Sequence, residues 1–66
     1  MTNRADLIAR KHAVRGRIER ARRTLAAEQA KGDATSRRRV RKLENELERL
    51  MAEEYQLRVA IDQARS

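Results

Sequence analysis

Several residue types are missing or scarce in this sequence, and each absence excludes a way of stabilising a small protein. Cysteine and proline are absent, glycine occurs twice, and Tyr55 is the single aromatic residue. A chain without cysteine has no disulfide bonds and no thiolate metal site, which is typical of a reducing compartment. His12 is the single histidine, so we expect no metal site and no cofactor. A chain of 66 residues buries little surface, so we expect it to associate with another chain.

Long apolar runs are also absent. No segment reaches the roughly 20 residues that cross a bilayer, and the stretch MTNRADLIARKHAVRG lacks the apolar core of a secretion signal. We therefore expect a soluble, cytoplasmic protein that does not insert into membranes and is not processed at its N-terminus.

Positive charge dominates what is present. The sequence has 17 basic and 10 acidic residues, which gives a net charge of +7. This excess predicts an anionic partner, either nucleic acid or an acidic protein surface. Most of the basic residues are arginine, and alanine is abundant. Because GC-rich codons encode both, a GC-rich bacterial or phage genome would account for part of this bias without selection for binding.

The composition favours helix almost throughout, because Ala, Leu, Arg, Glu and Gln dominate. One segment, KGDATS, interrupts the pattern. Gly32 stands where a helix end favours a left-handed residue, and Asp33, Thr35 and Ser36 are all able to cap a following helix. The sequence therefore predicts two helices joined by a short turn.

The predicted boundaries follow from these signals. Asn3, with Asp6 three residues later, is typical of a helix start. We predict a single domain, a helical hairpin spanning residues 1–66. Its elements are a first helix over about 3–31, a turn over about 32–35 and a second helix over about 34–64.

Apolar residues repeat at heptad spacing in both predicted helices, which indicates an all-α, antiparallel coiled-coil hairpin. The predicted core comprises Leu7, Val14, Ile18, Leu25, Val40, Leu43, Leu47, Leu50, Leu57 and Ile61. Each helix also has one charged residue in a core position, Lys11 in the first and Glu54 in the second. Antiparallel packing brings these two to a similar level, so we expect them to pair and fix the register.

A second apolar face is expected if the hairpin associates. The predicted oligomer interface comprises Ala9, Ala13 and Gly16 on the first helix, and Met51, Tyr55 and Val59 on the second. Gly16 costs roughly 1 kcal/mol relative to alanine inside a helix, which suggests that another backbone approaches it. We expect a homo-oligomer, with a dimer forming a four-helix bundle as the first choice. In the alternative, the alanines only favour helix formation and Gly16 is a tolerated defect.

Catalytic patterns are missing. Thr24, Thr35 and Ser36 have no histidine close in sequence, and no glycine-rich loop is present to hold a phosphate. We expect no enzymatic activity and no catalytic residues.

The stretch SRRRVRK places a run of cations at the start of the second helix. The helix dipole is positive at this end, so each cation there costs a few tenths of a kcal/mol. Arg37, Arg38 and Arg39 have no acid three or four residues onward, and only Glu28 and Asp33 lie nearby across the turn. A bound anion would reverse the cost. The predicted anion- or nucleic-acid-binding site comprises Lys31, Arg22, Arg23, Arg37, Arg38, Arg39, Arg41 and Lys42.

Two functional hypotheses remain open. The first is a basic helical hairpin that contacts nucleic-acid phosphates through this arginine run. The alternative is a coiled-coil adaptor or structural protein that binds an acidic or helical surface of another protein, such as a host regulator or a phage particle component. In a third interpretation the run is a solvated charge cluster that keeps the coiled coil soluble.

Overall fold

The computed structural model describes residues 3–64. It contains helix α1, Arg4–Lys31, and helix α2, Ala34–Gln63, which pack against each other as a hairpin. The prediction of an all-α chain with two packed helices is confirmed. We call the end that holds Gly32 and Asp33 the loop end, and the end that holds Asn3 and Ala64 the open end.

Three of the four helix termini are fixed by residues with strong local preferences. Asn3 precedes α1, and its Oδ1 accepts a hydrogen bond of 2.8 Å from the backbone N–H of Asp6. Gly32 ends α1 with φ +70°, a left-handed conformation that glycine adopts without a steric cost. Asp33 caps α2 through a 2.7 Å hydrogen bond from the backbone N–H of Ser36. The chain thus reverses direction between Lys31 and Ala34.

The core is a narrow apolar seam between the helices. Its buried apolar side chains are Leu7, Val14, Ile18, Ala21, Leu50 and Ile61. The other predicted core residues, Leu25, Val40, Leu43, Leu47 and Leu57, are half-buried. Two helices cover only one side of each other, so the flanks of the seam remain accessible to solvent.

The predicted ion pair between Lys11 and Glu54, two residues of the described range, is not formed. The carboxylate of Glu54 instead pairs with Arg58 on its own helix, with 3.4 Å between Oε1 and Nε. Lys11 borders a groove together with Tyr55 and Arg58. Arg58 lies one turn from Glu54 on the same helix, so its side chain reaches Glu54 without crossing the seam and the i, i+4 ion pair forms.

The hairpin is a thin rod of 51 × 15 × 14 Å measured over its Cα atoms. Its length comes from two helices of 28 and 30 residues, each rising about 1.5 Å per residue. Neither helix, within the part of the chain described, contains an apolar stretch long enough to cross a membrane.

Candidate anion-binding site at the loop end

A buried carboxylate organises the loop end. The side chain of Glu28 lies near the end of α1, and the residue is one of two buried polar residues within 3–64. The other is Ser36, in the first turn of α2, whose Oγ donates a hydrogen bond of 3.1 Å to Glu28 Oε2. Next to the turn, the apolar seam therefore ends in a hydrogen bond between two buried polar side chains.

Two cations also reach Glu28. Lys31 Nζ donates a 3.2 Å hydrogen bond to Oε1, and Arg39 Nη1 lies 3.6 Å from the same oxygen. The hydrogen bond from Lys31 contributes most to holding the pKa of Glu28 below its ordinary value, although burial opposes it. The bond from Ser36 and the charges of Lys31 and Arg39 act in the same direction. Glu28 is therefore held as a carboxylate that orients two of the predicted anion-binding side chains.

Asp33 is the second acid at the loop end. It accepts the backbone N–H of Ser36, and this bond is the main reason that its pKa lies below the ordinary value. The backbone N–H of Arg37 donates to the Asp33 carbonyl at 3.0 Å. Asp33 thus occupies part of the N-terminus of α2, so the site depends on side-chain cations more than on free backbone N–H groups.

The remaining cations of the run are free of such contacts. Arg37, Arg38, Arg41 and Lys42 are exposed, and none of them forms an ion pair with another residue of the described range 3–64. We use the name loop-end cluster for Lys31, Arg37, Arg38, Arg39, Arg41 and Lys42. Glu28 and Asp33 are the acids at the turn, and Glu44 and Glu46 border grooves with Arg41 and Lys42. Six cations beside these four acids still leave a local excess of positive charge.

Arg22 and Arg23 lie apart from this cluster. Arg22 Nη2 lies 3.9 Å from the Sδ atom of Met51 and also borders a groove with Glu19 and Glu54. Arg23 is exposed on α1. The sequence pattern grouped both with the loop-end cations, but the structure places Arg22 beside the middle of α2, about two turns or more before the turn.

The residues predicted to form an oligomer interface lie on two sides of the hairpin. Met51, Tyr55 and Val59 are exposed on α2, and the last two share a groove with Lys11. Ala9 and Ala13 are exposed on α1, and Gly16 is half-buried. Ala9 and Gly16 each follow a buried residue, Leu7 and Val14, by two positions.

Two positions correspond to roughly 200° around a helix, so Ala9 lies on the side of α1 that faces away from α2. Gly16 borders a groove with Ile18 of α1 and Glu54 of α2. A Cβ atom added at Gly16 would meet nothing within 4 Å. No packing inside the hairpin therefore requires glycine at this position. The small-residue stripe and the Met51–Tyr55–Val59 strip do not form one continuous surface.

Sequence reasoning did not identify the central part that Glu28 and Ser36 play. A signal for it was present: Glu28 continues the heptad series of Leu7, Val14 and Ala21, while Ser36 precedes Val40 by one turn. Polar residues in the last core position of α1 and the first core position of α2 indicate a polar contact beside the turn.

The described part of the chain contains no cluster of His, Cys, Asp and Glu side chains suited to a metal ion. The sequence matches no protein-family model, and neither a curated protein nor a solved structure is significantly similar to it.

Proposed function

We propose that this chain is a non-enzymatic binding protein whose loop-end cluster contacts the phosphates of a nucleic acid. One observation carries the proposal: Arg37, Arg38 and Arg41 are exposed in the first turns of α2 and form no ion pair within residues 3–64. Arg37 is the fourth residue of α2, in the first turn, where a cation opposes the helix dipole. An anionic partner would offset the cost at Arg37, which forms no ion pair within residues 3–64.

Phosphate suits this set of side chains. The guanidinium group of arginine presents planar, paired N–H donors that match two phosphate oxygens, and it keeps its charge at every physiological pH. Tyr55, the single aromatic residue of the sequence, lies outside the loop-end cluster, so no aromatic side chain of the cluster stacks on a base. Amide side chains are few beside it: Gln29 borders a groove with Arg37 and Arg41. The binding we propose is therefore electrostatic and independent of sequence.

We also propose that two hairpins associate into a dimer with four packed helices. Half-buried core residues such as Leu25, Leu47 and Leu57 support association, because a second layer of helices would remove their exposed apolar surface from water. Light scattering combined with melting curves at several concentrations tests this part. A dimer melts at a higher temperature as its concentration rises, and a monomer does not.

The nucleic-acid proposal is tested by binding to a labelled duplex over a series of salt concentrations. The double variant Arg37→Glu/Arg38→Glu removes two cations of the loop-end cluster. Arg17→Glu/Arg20→Glu, on exposed positions of α1, is the matched control because it changes the net charge equally. We expect the plot of log affinity against log salt to flatten by about 0.9 for each phosphate that is no longer neutralised, in the first variant alone.

Two outcomes would contradict the proposal. Equal losses of affinity in both variants would mean that net charge, not the loop-end cluster, attracts the nucleic acid. Undetectable binding of the unaltered protein to DNA and RNA at low salt would favour the second candidate, a coiled-coil adaptor for an acidic or helical protein surface. The exposed apolar side chains of Met51, Tyr55 and Val59 are the observation that favours this candidate.

A further inference from the structure

The cations of the loop-end cluster lie on both sides of the hairpin. Arg37 and Arg39 are two positions apart in α2, which is roughly 200° around the helix axis, so they flank the seam on opposite sides. Arg37 and Arg41 border a groove on one side. Arg39 and Lys42 border a groove on the other. We call these sides the Arg37 flank and the Arg39 flank.

Each flank has more cations than acids next to the turn. Lys31 and Arg39 reach the same oxygen of Glu28, so Lys31 belongs to the Arg39 flank. Their side chains are still 55% and 62% exposed, which leaves both groups accessible to an anion from outside. The Arg39 flank thus carries Lys31, Arg39 and Lys42 against Glu28 and Glu46, and the Arg37 flank carries Arg37 and Arg41 against Glu44.

Along α2 the cations come first and the acids follow. Measured along the helix axis from Ala34, Arg37 to Lys42 lie at about 4–12 Å. Glu44 lies at about 15 Å, and Glu46 and Glu48 lie farther from the turn. The positive part of α2 is therefore a short section beside the loop end.

The loop end itself is narrow. Its residues Ala30, Gly32, Ala34 and Thr35 are small and exposed. The two helices lie side by side there, so the thickness from the Arg37 flank to the Arg39 flank is that of one helix, about 10–12 Å with side chains. A thin end with cations on both of its broad sides suits an anionic cleft with two charged walls.

The major groove of B-form DNA has these dimensions. It is about 12 Å wide and 8.5 Å deep, and the phosphates of the two strands border it. We propose that the partner is double-stranded B-form DNA and that the loop end enters its major groove, with one flank against the phosphates of each strand. The inference rests on the proposed function and names the form of nucleic acid that it binds.

The depth of the groove agrees with the order of charges along α2. A loop end inserted by about 8.5 Å places Arg37 to Lys42 near the phosphates, while Glu44, at about 15 Å, stays outside. Asp33, at the tip, faces base edges instead of phosphates. Its carboxylate already accepts the backbone N–H of Ser36, and amino groups of cytosine and adenine in the major groove are further donors.

Other forms of nucleic acid match this arrangement less well. The major groove of A-form RNA is deep and too narrow for a helix, so the two flanks cannot both reach phosphates from inside it. A single strand offers one row of phosphates and therefore engages one flank at a time. B-form DNA is the form that uses both flanks together.

Binding to matched nucleic acids tests the choice of partner. A DNA duplex, an RNA duplex and a single DNA strand of equal length are compared at one salt concentration. We expect the DNA duplex to bind roughly tenfold or more tightly than either of the others. Glucosylated 5-hydroxymethylcytosine in the duplex fills the major groove and is expected to weaken binding by a similar factor, whereas netropsin, which fills the minor groove, leaves the affinity unchanged.

Neighbouring substitutions test the two-sided contact. Arg41 and Lys42 lie on different flanks at nearly the same distance from the turn, and neither forms an ion pair within residues 3–64. We expect Arg41→Gln and Lys42→Gln each to flatten the plot of log affinity against log salt by about 0.9, and the double variant by about 1.8. Arg17→Gln/Arg20→Gln, exposed on α1, is the matched control. Circular dichroism verifies that each variant remains helical.

The outcomes separate this inference from the proposal on which it rests. Undetectable binding to every nucleic acid overturns both. Equal affinity for the DNA and RNA duplexes, or binding that is indifferent to the glucosylated groove, overturns insertion into the major groove and leaves the loop-end cluster as a general phosphate-binding site. A flatter salt plot for Arg41→Gln or Lys42→Gln alone overturns the contact with both strands.

Discussion

The hydroxyl group of Ser36 donates a hydrogen bond of 3.1 Å to the carboxylate of Glu28, and both residues are buried. The bond joins the last turn of α1 to the first turn of α2 across Gly32 and Asp33. Lys31 and Arg39 reach the same carboxylate from the solvent side. The loop end is thus built around one acid, although cations outnumber acids there.

Replacing Ser36 by alanine is expected to destabilise the hairpin. The change removes one hydrogen-bond donor from the buried carboxylate of Glu28. The folded state loses stability when a buried charged group is left without a hydrogen-bonding partner. We expect the melting temperature to fall by roughly 5 °C or more, measured by circular dichroism. Thr35→Ala, at an exposed position one residue earlier, is the control. Similar melting temperatures for the two variants would mean that the bond contributes little.

Stability is expected to fall at acid pH. The pKa values of Glu28 and Asp33 lie below their ordinary values in the folded hairpin, mainly because of hydrogen bonds from Lys31 and Ser36 respectively. A carboxyl group of lowered pKa stabilises the folded state fully above the pKa of the unfolded state, about 4.3 for Glu and 3.9 for Asp. This contribution disappears as the pH falls through the folded values.

Melting temperatures measured from pH 7 down to about pH 2 therefore decrease below roughly pH 4.3. The double variant Glu28→Gln/Asp33→Asn lacks both groups, so its melting temperature is expected to be lower at neutral pH and to change less with acid. If the melting temperature of the variant falls equally with acid, other carboxylates cause the loss of stability.

Local signals made the helices predictable. Asn3, Gly32 and Asp33 each have a strong backbone or capping preference, and the heptad spacing of residues such as Leu43 and Leu50 marks the side of α2 that faces α1. The sequence predicts helices over 3–31 and 34–64, and the structure has Arg4–Lys31 and Ala34–Gln63. Such preferences act within a few residues, so they can be read without knowledge of the packing.

The contacts between helices were less predictable. Lys11 and Glu54 lie at similar levels, but the choice of Arg58 as the partner of Glu54 depends on rotamers that heptad spacing does not specify. The burial of Glu28 likewise depends on Ser36, which lies beyond the turn. The position of Arg22 beside Met51 follows from the interhelical register and not from its place among the basic residues.

The two glycines are expected to respond in opposite ways to replacement by alanine. Gly32 has φ +70°, and alanine in this left-handed conformation costs about 1 kcal/mol. Gly16 lies inside α1 with open space around its Cα, so alanine there gains up to about 1 kcal/mol in helix propensity. Urea unfolding of Gly32→Ala and Gly16→Ala measures both. Destabilisation by Gly16→Ala would indicate that another backbone packs against the small-residue stripe.

We expect the melting temperature to change in opposite directions when one or the other of two adjacent arginines in α2 is replaced by glutamate. Arg38 forms no ion pair within residues 3–64, so Arg38→Glu exchanges an unfavourable cation for an acid near the positive end of the helix dipole, and the melting temperature holds or rises. Arg39 lies 3.6 Å from the Glu28 carboxylate. Arg39→Glu therefore places two carboxylates together beside a buried hydrogen bond, and the melting temperature falls. The two variants have the same composition and net charge, so each is the control for the other in thermal melts. Equal shifts would show that the pairing of Arg39 with Glu28 does not distinguish the two positions.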